Sequence, residues 1–379
     1  MEALRSDARF DCAWLRRVRI RDFRNLASVD LELSADGLAL VGDNGQGKTN
    51  FLEAVYYLQL FRSFRGARDQ DLVRFGAGGF HLAATLEGAR AHEVAVGFDR
   101  GSAVRKRVRI DGADPPRLAD ALGAVPAVII SPGDVNLVSG GPGERRRYLD
   151  VTLALTSRPY LMALQTYRGA LAHRNAALRD AAQGGSEAGV AVWEPALAHA
   201  GARLWRERME WATRQAPHFA ELSVAIGEPE PMRLRYVSGL PAAPDLEGVL
   251  HEALERRRPI EIRRGVTHVG PHRDDLAITL GGREVRTYGS AGQQRTAAIA
   301  LRLLEASTLR TAGHREPLTL LDDPFAELDG RRAGRILELL NAEGRGQTLL
   351  AVPRPRDIPV GLTRLVRWRV EGGVLRREE

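Results

Sequence analysis

The sequence has one cysteine and no long apolar run. Cys12 is the single cysteine in 379 residues, which excludes an internal disulfide or a zinc site built from cysteines and is typical of a reducing compartment. No run of about 18 or more apolar residues occurs. The first residues, MEALRSDARFDCAW, mix charges where a secretory signal needs a continuous apolar core. We therefore expect a cytoplasmic protein with no membrane partner.

Lysine is also scarce, so the positive charge comes almost entirely from arginine. The 55 basic residues against 48 acidic residues leave a net charge of +7. Arginine makes bidentate contacts with phosphate, which suits a nucleic-acid partner, but a biased genomic base composition would produce the same enrichment. The composition alone leaves both explanations open. At this length we expect two or three domain-sized units.

The stretch VGDNGQGKTNFLEAVYYL fits a phosphate-binding loop that opens a helix. Gly42–Thr49 matches G-x-x-x-x-G-K-[ST], in which backbone N–H groups wrap phosphates, the lysine reaches the β- and γ-phosphates and the hydroxyl binds magnesium. The apolar strand GLALV precedes the loop and a helical pattern follows it, which places the anion at a helix N-terminus. The predicted nucleotide-binding residues are Gly42, Asp43, Asn44, Gly45, Gln46, Gly47, Lys48, Thr49 and Asn50.

A later strand ends in the acids that such a loop requires. LTLLDD predicts a buried strand that ends at Asp322 and Asp323. Asp322 can hold magnesium (Mg2+) together with Thr49, and Asp323 can orient or activate the attacking water, with Lys48 as the third catalytic residue. Taken alone, the two acids would also suit a polar turn. Most of the chain lies between Lys48 and Asp322, far more than a compact nucleotide-binding domain needs.

The intervening sequence changes character twice. Short alternating strands run to about residue 135, beginning with a hairpin that turns at Asn25. The next segment is mostly helical by its apolar spacing, and strands return after it. We predict an α/β ATPase domain with a mixed β-sheet, split by a mostly α-helical inserted subdomain; its parts are residues 1–135, 136–264 and 265–379. Such an insertion is tolerated because loop-closure entropy grows slowly with length.

The stretch YGSAGQQRTAAIALRLL predicts a helix with a serine- and glycine-rich start. Ser290, Gly292 and Gln293 lie at this N-terminus, where backbone N–H groups can bind an anion. An ordinary helix cap would have the same sequence. The order of segments favours the anion-binding role, because the phosphate loop, the insert, this helix, the acidic strand and then ELD follow one another.

This order resembles the head of ABC-type ATPases, which is a P-loop fold. SAGQQ stands at the position of the signature motif, LTLLDD at the Walker B strand and AELD at the D-loop. Within that superfamily the details are similar to the RecF family of bacterial recombination-repair ATPases. The matching stretches span residues 18–329 and are RIRDFRNLASVDLEL, LVGDNGQGKTNFLEAVYYL, RSFRG, GERRRYLD, VGPHRDDL, YGSAGQQRT and LLDDPFAELD.

The resemblance implies a head that forms a homodimer around ATP and has a weak, DNA-stimulated ATPase activity. In such heads each nucleotide lies between the Walker loop of one subunit and the signature helix of the other. Asn44, Lys48 and Thr49 would then act on the ATP of their own subunit, and Ser290 and Gly292 on that of the partner. The family binds DNA, as duplex or at a single-strand junction, when ATP is bound. It works with RecR and RecO to help RecA load at single-stranded gaps during repair and replication restart.

Some positions depart from the patterns of such heads. Where many ABC heads carry the Q-loop glutamine, this chain has ISPGDV, and Gly133 leaves only Asp134 of the Pro-acidic pair that is usual in RecF-like proteins. Val352 and Pro353 stand where the family tends to place a polar switch residue near the γ-phosphate. This departure predicts slow hydrolysis. Asp323, in place of glutamate, matches the family.

Two further stretches have more than one interpretation. THVGPHRDDL suits a structural strand and turn, or less well a metal site; its candidate ligands are His268, His272, Asp274 and Asp275. The arginine runs RRVRIRDFR and RKRVR would either contact DNA phosphates or form solvated strand faces.

Other functions compete with ATP-dependent DNA repair. The head of an SMC-type chromosome protein would need hundreds of residues of heptad coiled coil, whereas the insert has about 130 residues and no sustained heptads. The energising subunit of a membrane transporter would fractionate with membranes, and the basic balance and the RecF-like stretches argue against it. A nucleotide-gated scaffold without hydrolysis is the third alternative.

Overall fold

The computed structural model describes residues 14–88, 92–313, 316–325, 330–342 and 346–378. The strands of these segments are β1 (Trp14–Phe23), β2 (Leu26–Glu32), β3 (Gly37–Val41), β4 (Gly79–Glu87), β5 (His92–Asp99), β6 (Lys106–Ile110), β7 (Ala127–Ile130), β8 (Arg233–Val237), β9 (Asp275–Leu280), β10 (Arg283–Glu284), β11 (Leu318–Asp322), β12 (Thr348–Val352), β13 (Val366–Glu371) and β14 (Val374–Arg377). The helices are α1 (Lys48–Leu60), α2 (Asp69–Leu72), α3 (Asn136–Ser139), α4 (Pro142–Thr156), α5 (Arg158–Ala181), α6 (Ala188–Ala191), α7 (Glu194–Ile226), α8 (Leu246–Arg264), α9 (Val285–Tyr288), α10 (Ala291–Gly313) and α11 (Gly330–Ala342).

The chain separates into two compact units. The first comprises residues 1–133 and 305–379, and the second residues 134–304. Helix α10 begins in the second unit and ends in the first. The sequence pattern predicts that residues 265–304 belong to the ATPase head, but in the structure they belong to the same compact unit as the helical segment. The three-part division into functional segments stays a prediction.

The described residues of the first unit form two β-sheets. One is antiparallel and has the strand order β2-β1-β4-β5-β6. The other has the order β14-β13-β3-β12-β11-β7, with parallel neighbours from β13 to β7 and β14 antiparallel at the edge. The predicted hairpin around Asn25 is confirmed as β1 and β2, and it belongs to the antiparallel sheet rather than to the sheet of β3.

Helix α1 lies in the centre of the first unit's hydrophobic core. Its sequence is KTNFLEAVYYLQL, and every residue from Phe51 to Gln59 is buried. It packs against strands of both sheets, which share one core cluster with it. A helix that is apolar on all sides is stable only when protein surrounds it. This requirement places the helix after the phosphate loop between the two sheets.

Three parallel strands of the larger sheet end at the same level. The register pairs Val41 with Val352 and Asp322 with Ala351. The segments that follow β3, β11 and β12 therefore meet at one edge of the sheet. Ligands of open parallel sheets bind beyond such carboxyl ends.

The second unit is mostly helical, as predicted for the insert, with a three-stranded antiparallel sheet of order β10-β9-β8. A fully buried arginine joins three of its helices: Arg174 on α5 donates to Glu261 on α8 at 2.6 Å and to Glu194 on α7 at 2.9 Å. Buried charges need such partners because an unpaired one costs several kcal/mol, about 3 to 5. Within the described residues α7, with 33 residues, is the longest helix, and none combines the length and apolar character that crossing a bilayer needs.

Candidate nucleotide-binding site

The phosphate loop connects the end of β3 to the first residue of α1. Gly47, just before the helix, has a φ of 119°, and a Cβ there would lie 2.8 Å from Asn25 Oδ1. Both the backbone and the available space therefore require glycine. Gly47 is the N-cap residue and has no side chain that could accept a hydrogen bond from the first N–H groups of the helix. The first N–H groups of α1 are thus open to an anion.

Lys48 is folded back onto this loop. Its Nζ donates to the carbonyl oxygen of Gly42 at 2.5 Å and to that of Asp43 at 2.8 Å, and the residue is only 7% exposed. Burial lowers the pKa of Lys48, while the charges of Asp322, Asp323 and Asp43 oppose that shift. Phosphate oxygens can replace the two carbonyls as acceptors, so the ammonium group is held beside the place where phosphates would lie.

Thr49 joins the phosphate loop to the acidic strand. Its Oγ1 donates to Asp322, at 2.9 and 3.0 Å from the two carboxylate oxygens, although the two residues are 273 positions apart in sequence. Burial raises the pKa of Asp322, and the hydrogen bond from Thr49 and the charge of Lys48 oppose this. A hydroxyl oxygen beside a carboxylate is a donor set that magnesium accepts. These two residues therefore fit a magnesium ion.

Asp323 lies at the turn that follows β11. Its φ of 45° is in the left-handed region, and its N–H donates to the carbonyl of Ala351 at 2.9 Å. Aspartate tolerates this region better than most residues, and the conformation costs on the order of 1 kcal/mol. Such backbone strain is concentrated at functional sites. The turn ends the strand immediately after Asp322.

Residues far from the motif in sequence brace the phosphate loop. Asn25, in the turn between β1 and β2, donates its Nδ2 to the carbonyl of Gln46 at 2.9 Å and accepts from Asn50 Nδ2 at 2.9 Å. In the turn between β13 and β14, Gly373 N–H donates to the Gln46 carbonyl at 2.9 Å and Gly372 N–H to Gln46 Oε1 at 2.7 Å. The side chains of Gln46 and Asn50, predicted to bind nucleotide, thus contact protein. Sequence reasoning missed the bracing residues because no local pattern connects them to the loop.

A buried ion pair anchors α1 behind the loop. Glu53 is 0% exposed and accepts from Arg24 Nε at 3.0 Å, from Arg24 Nη2 at 3.1 Å and from Ser63 Oγ. Arg65, in the RSFRG stretch, lies 3.8 Å from Glu53. The positive charge of Arg65 also lowers the pKa of Asp322, against the larger effect of burial. The RSFRG stretch therefore contributes positive charge to the neighbourhood of the acidic strand.

The helix with the serine- and glycine-rich start forms a capping box. Ser290 Oγ accepts from Gln293 N–H at 3.2 Å, and Gln293 Oε1 accepts from Ser290 N–H at 2.8 Å. The ordinary helix cap considered from the sequence is therefore present. The N–H groups of Ala291 and Gly292, in the first turn, have no partner inside the helix, as at every helix N-terminus. An anion-binding role for Ser290, Gly292 and Gln293 stays a prediction.

The positions that depart from the family patterns have defined contacts. Asp134 is buried and accepts from Arg302 on α10, at 3.0 Å from Nε and 2.6 Å from Nη2. The aspartate at the Q-loop position is thus tied to the helix that begins just after Ser290. Val352 is buried at the end of β12 beside Val41, so this position offers no polar side chain. The predicted D-loop, residues 326–329, lies outside the described residues.

The THVGPHRDDL stretch has the contacts of a structural turn. Burial lowers the pKa of His272 to about 4, so its ring is neutral at pH 7. Within the described ranges, no three or more His, Cys, Asp and Glu side chains are grouped so that they could hold a metal ion. The contacts are His272 Nδ1 with Tyr167 Oη at 2.6 Å, Tyr236 Oη donating to Asp274 at 2.7 Å, and Arg145 donating to the two carboxylate oxygens of Asp275 at 2.7 and 2.9 Å.

The outward arginines of the two predicted runs lie on the exposed face of the antiparallel sheet, and most have acidic partners. Arg21 has no carboxylate partner among the residues that the structure describes. Exposed pairs are worth about 0 to 1 kcal/mol and exchange readily for phosphate. This geometry leaves both interpretations of the runs open. The pairs are Arg16–Glu87, Arg17–Asp30, Arg19–Glu93, Arg107–Asp114 and Arg109–Asp114.

Comparison of the sequence with known proteins gives a consistent result. A family model described as the RecF/RecN/SMC N terminal domain matches residues 14–353. The DNA replication and repair protein RecF of Roseiflexus castenholzii is 35% identical over 96% of this chain and 99% of its own length. The RecF protein of Salinibacter ruber is 36% identical over 90% of this chain and 85% of its own length.

Solved structures are similar over almost the whole chain. The recombination mediator protein RecF with ATP, from the RecFOR pathway, has a TM-score of 0.89 and 27% identity, and the match covers 98% of this chain and 100% of that one. An Smc head domain from Pyrococcus furiosus, with an extended coiled coil and the C-terminal domain of ScpA, has a TM-score of 0.56 and 15% identity over 97% of this chain and 96% of that one. The second likeness shows the fold alone.

Proposed function

Because the chain belongs to the RecF family of DNA replication and repair proteins, we propose that it is an ATP-dependent DNA-binding protein of recombinational repair and replication restart. The family and its fold confirm the resemblance and the fold class predicted from the sequence. In this proposal the protein forms a dimer when it binds ATP, binds DNA at single-stranded gaps and helps RecA to load together with RecO and RecR. It is a weak ATPase that DNA stimulates.

The observation that carries this proposal is the contact between Thr49 and Asp322. It brings a magnesium-type hydroxyl and carboxylate together at the N-terminus of α1, 2.9 Å apart, beside the lysine of the phosphate loop. A phosphate loop or an acidic strand alone has several explanations. Their meeting at the carboxyl edge of one parallel sheet supports the binding and hydrolysis of a nucleoside triphosphate.

Each residue of this edge has a proposed role. Lys48 exchanges its loop carbonyls for the β- and γ-phosphates, and the open N–H groups of α1 bind the same phosphates. Thr49 and Asp322 hold magnesium, which supplies positive charge at the phosphates when it is bound. Asp323 orients the attacking water. The buried Val352 supplies no polar group that senses the γ-phosphate, which is the reason we expect slow turnover.

The proposed dimer completes the site with the N-terminus of α10. Ser290, Gly292 and Gln293 would face the γ-phosphate bound to the partner subunit. The N–H groups of the first turn have no partner inside the helix and favour an anion there. The link between Asp134 and Arg302 connects this helix to the segment that enters the second unit.

Sedimentation with and without ATP, then with gapped DNA added, tests the proposal. We expect a monomer without nucleotide, a dimer with ATP and a heavier complex when DNA is present. The logarithm of DNA affinity should fall steeply with the logarithm of salt concentration, because arginines release counterions from phosphates. A monomer in all conditions, or DNA binding that ignores ATP, would contradict the proposed function.

A further inference from the structure

The THVGPHRDDL stretch divides into an inward half and an outward half. His272, Asp274 and Asp275 contact partners inside the second unit, as described above. Arg273 is exposed, and its guanidinium donates to the carbonyl of Thr267 at 3.0 Å and lies 3.4 Å from His268 Nδ1. The contacts of His272, Asp274 and Asp275 stabilise the turn, whereas the contacts of the exposed Arg273 contribute less to its stability.

Helix α8 presents two more arginines beside this turn. Arg257 and Arg264 are seven residues apart and share one face of the helix with Glu261, which lies between them. Glu261 is fully buried, and its carboxylate accepts from the backbone N–H of His268 at 2.6 Å. This contact places His268 against the arginine-bearing face of α8.

The electrostatic environment of His268 shows the same grouping. Burial is the largest effect that lowers the pKa of His268. The positive charges of Arg273, Arg264 and Arg257 lower it further, and the negative charge of Glu261 opposes them. A further exposed arginine, Arg179, lies against the C-terminal end of α8. A Cβ atom added at Gly265, which directly follows this helix, would lie 3.0 Å from Arg179 Cγ.

These arginines lack acidic partners, unlike those of the antiparallel sheet. Arg179, Arg257, Arg264 and Arg273 are exposed, and none of them has an ion pair with a carboxylate within the described part of the chain. Glu261 is committed to the buried Arg174. Arginines in the last turn of a helix favour its dipole, which would account for Arg264. Arg257 lies nearly two turns earlier and Arg273 comes from the loop, so the dipole does not explain the cluster.

A buried nitrogen in the cluster also lacks a partner. The Nε2 atom of His268 is buried and has no hydrogen-bond partner in the segments that the structure describes. This atom is shielded from solvent, so the exposed arginines rather than the ring nitrogen would meet a ligand. A ligand with several negatively charged oxygens would neutralise these arginines.

We propose that Arg179, Arg257, Arg264, Arg273 and His268 form a binding surface for the phosphate backbone of DNA; we call it the α8 surface. This inference rests on the proposed function and adds a DNA contact in the second unit. The contact carries no sequence information, because it reads phosphates rather than base edges. Its four guanidinium groups have no carboxylate partner in the described part of the chain, so they can act on neighbouring phosphates without first breaking ion pairs within the protein.

The test compares three double variants of the full chain for binding of a gapped duplex in the presence of ATP, over a series of salt concentrations. Arg257→Ala with Arg264→Ala removes two charges from the α8 surface. Arg206→Ala with Arg214→Ala removes two exposed charges from α7 in the same unit, which also lack an ion pair within the described residues, and serves as the matched control. Arg257→Lys with Arg264→Lys keeps the charge at the α8 surface.

Each lost phosphate contact should reduce the salt slope by about 0.9 and weaken binding roughly eightfold near 0.1 M salt. We therefore expect the alanine variant of the α8 surface to lose affinity by up to roughly 60-fold, with a slope shallower by about 1.8. The control and lysine variants should stay close to wild type. ATP binding and thermal unfolding should be unchanged in all three, since none of these side chains has a buried partner.

The outcomes separate this inference from the proposed function. If wild type binds DNA with ATP and the alanine variant of the α8 surface matches the control in affinity and slope, the α8 surface does not contact DNA. An acidic protein partner would then be its better ligand. If wild type binds ATP but no DNA under any condition, both the proposed function and this surface are overturned.

Discussion

The proposed sharing of the nucleotide site between two subunits is tested by Ser290→Arg, alone and mixed with Lys48→Ala. Ser290 caps α10, with its Oγ 3.2 Å from Gln293 N. Losing such a cap costs about 1 kcal/mol, which is small against a typical stability of about 5 to 15 kcal/mol. We therefore expect Ser290→Arg to fold and to bind ATP as a monomer. The bulky cation at the helix N-terminus should prevent dimerisation and hydrolysis.

Another serine cap in the same unit separates the folding effect from the functional one. Ser157 is the N-cap residue of α5, and its Oγ accepts from Tyr160 N at 3.2 Å, the same distance as at Ser290. Ser157→Ala and Ser290→Ala should each lose about 1 kcal/mol of stability in denaturant unfolding. Only Ser290→Ala should weaken the ATP-dependent dimer measured by sedimentation.

The mixture of Ser290→Arg and Lys48→Ala gives the quantitative result. Because neither variant should form an ATP-dependent homodimer, the dimers in an equal mixture should be mixed, and each mixed dimer has one site with both defects and one intact site. If the sites act independently and pairing is complete, phosphate release should recover to about one half of the wild-type rate, because each two-fold wild-type dimer holds two equivalent sites. Either variant alone should be inactive. Loss of ATP binding by the folded Ser290→Arg monomer would place the serine in the site of its own subunit and refute the shared arrangement.

Three other substitutions test single features of the first unit. Lys48→Ala should abolish tight ATP binding, since it removes the ammonium group that we propose lies over the β- and γ-phosphates; unchanged affinity in a calorimetric titration would contradict this. Asp323→Asn should keep ATP binding but slow phosphate release and trap the dimer on DNA, and normal turnover would move the water-orienting role elsewhere. Arg24→Ala should lower the free energy of unfolding by about 3 to 5 kcal/mol, because it strands the fully buried Glu53. Arg17→Ala, which breaks an exposed pair with Asp30, should cost no more than about 1 kcal/mol and is the control; equal losses from both would show that the burial of Glu53 is unimportant.

Much of the fold followed from patterns that lie within single elements. The glycine-rich loop between GLALV and a helical pattern predicted β3, the phosphate loop and α1, and the structure has these elements in that order. The apolar stretch before Asp322 predicted β11, and the change to helical spacing predicted the inserted segment. These predictions succeeded because the phosphate loop, the strand and the helix each depend on neighbouring residues. The family resemblance, which rested on several such motifs, was confirmed for the same reason.

The tertiary structure decided what depends on distant residues meeting. No local signal connects Asn25 or Gly372 to the phosphate loop, yet both hold Gln46 in place. The strand order of the larger sheet, which sets Asp322 beside Thr49, follows from the packing of both sheets around α1 rather than from any single motif.

The two ambiguous motifs show the same limit. The sequence of Ser290 and Gln293 fits a helix cap and an anion site equally well, and the folded chain has the cap. The residues of THVGPHRDDL share one short stretch, but only the packing of α5 and α8 around it separates the inward His272 from the outward Arg273. Side-chain direction in a turn depends on the neighbours that the fold brings to it, and a single sequence does not contain that information.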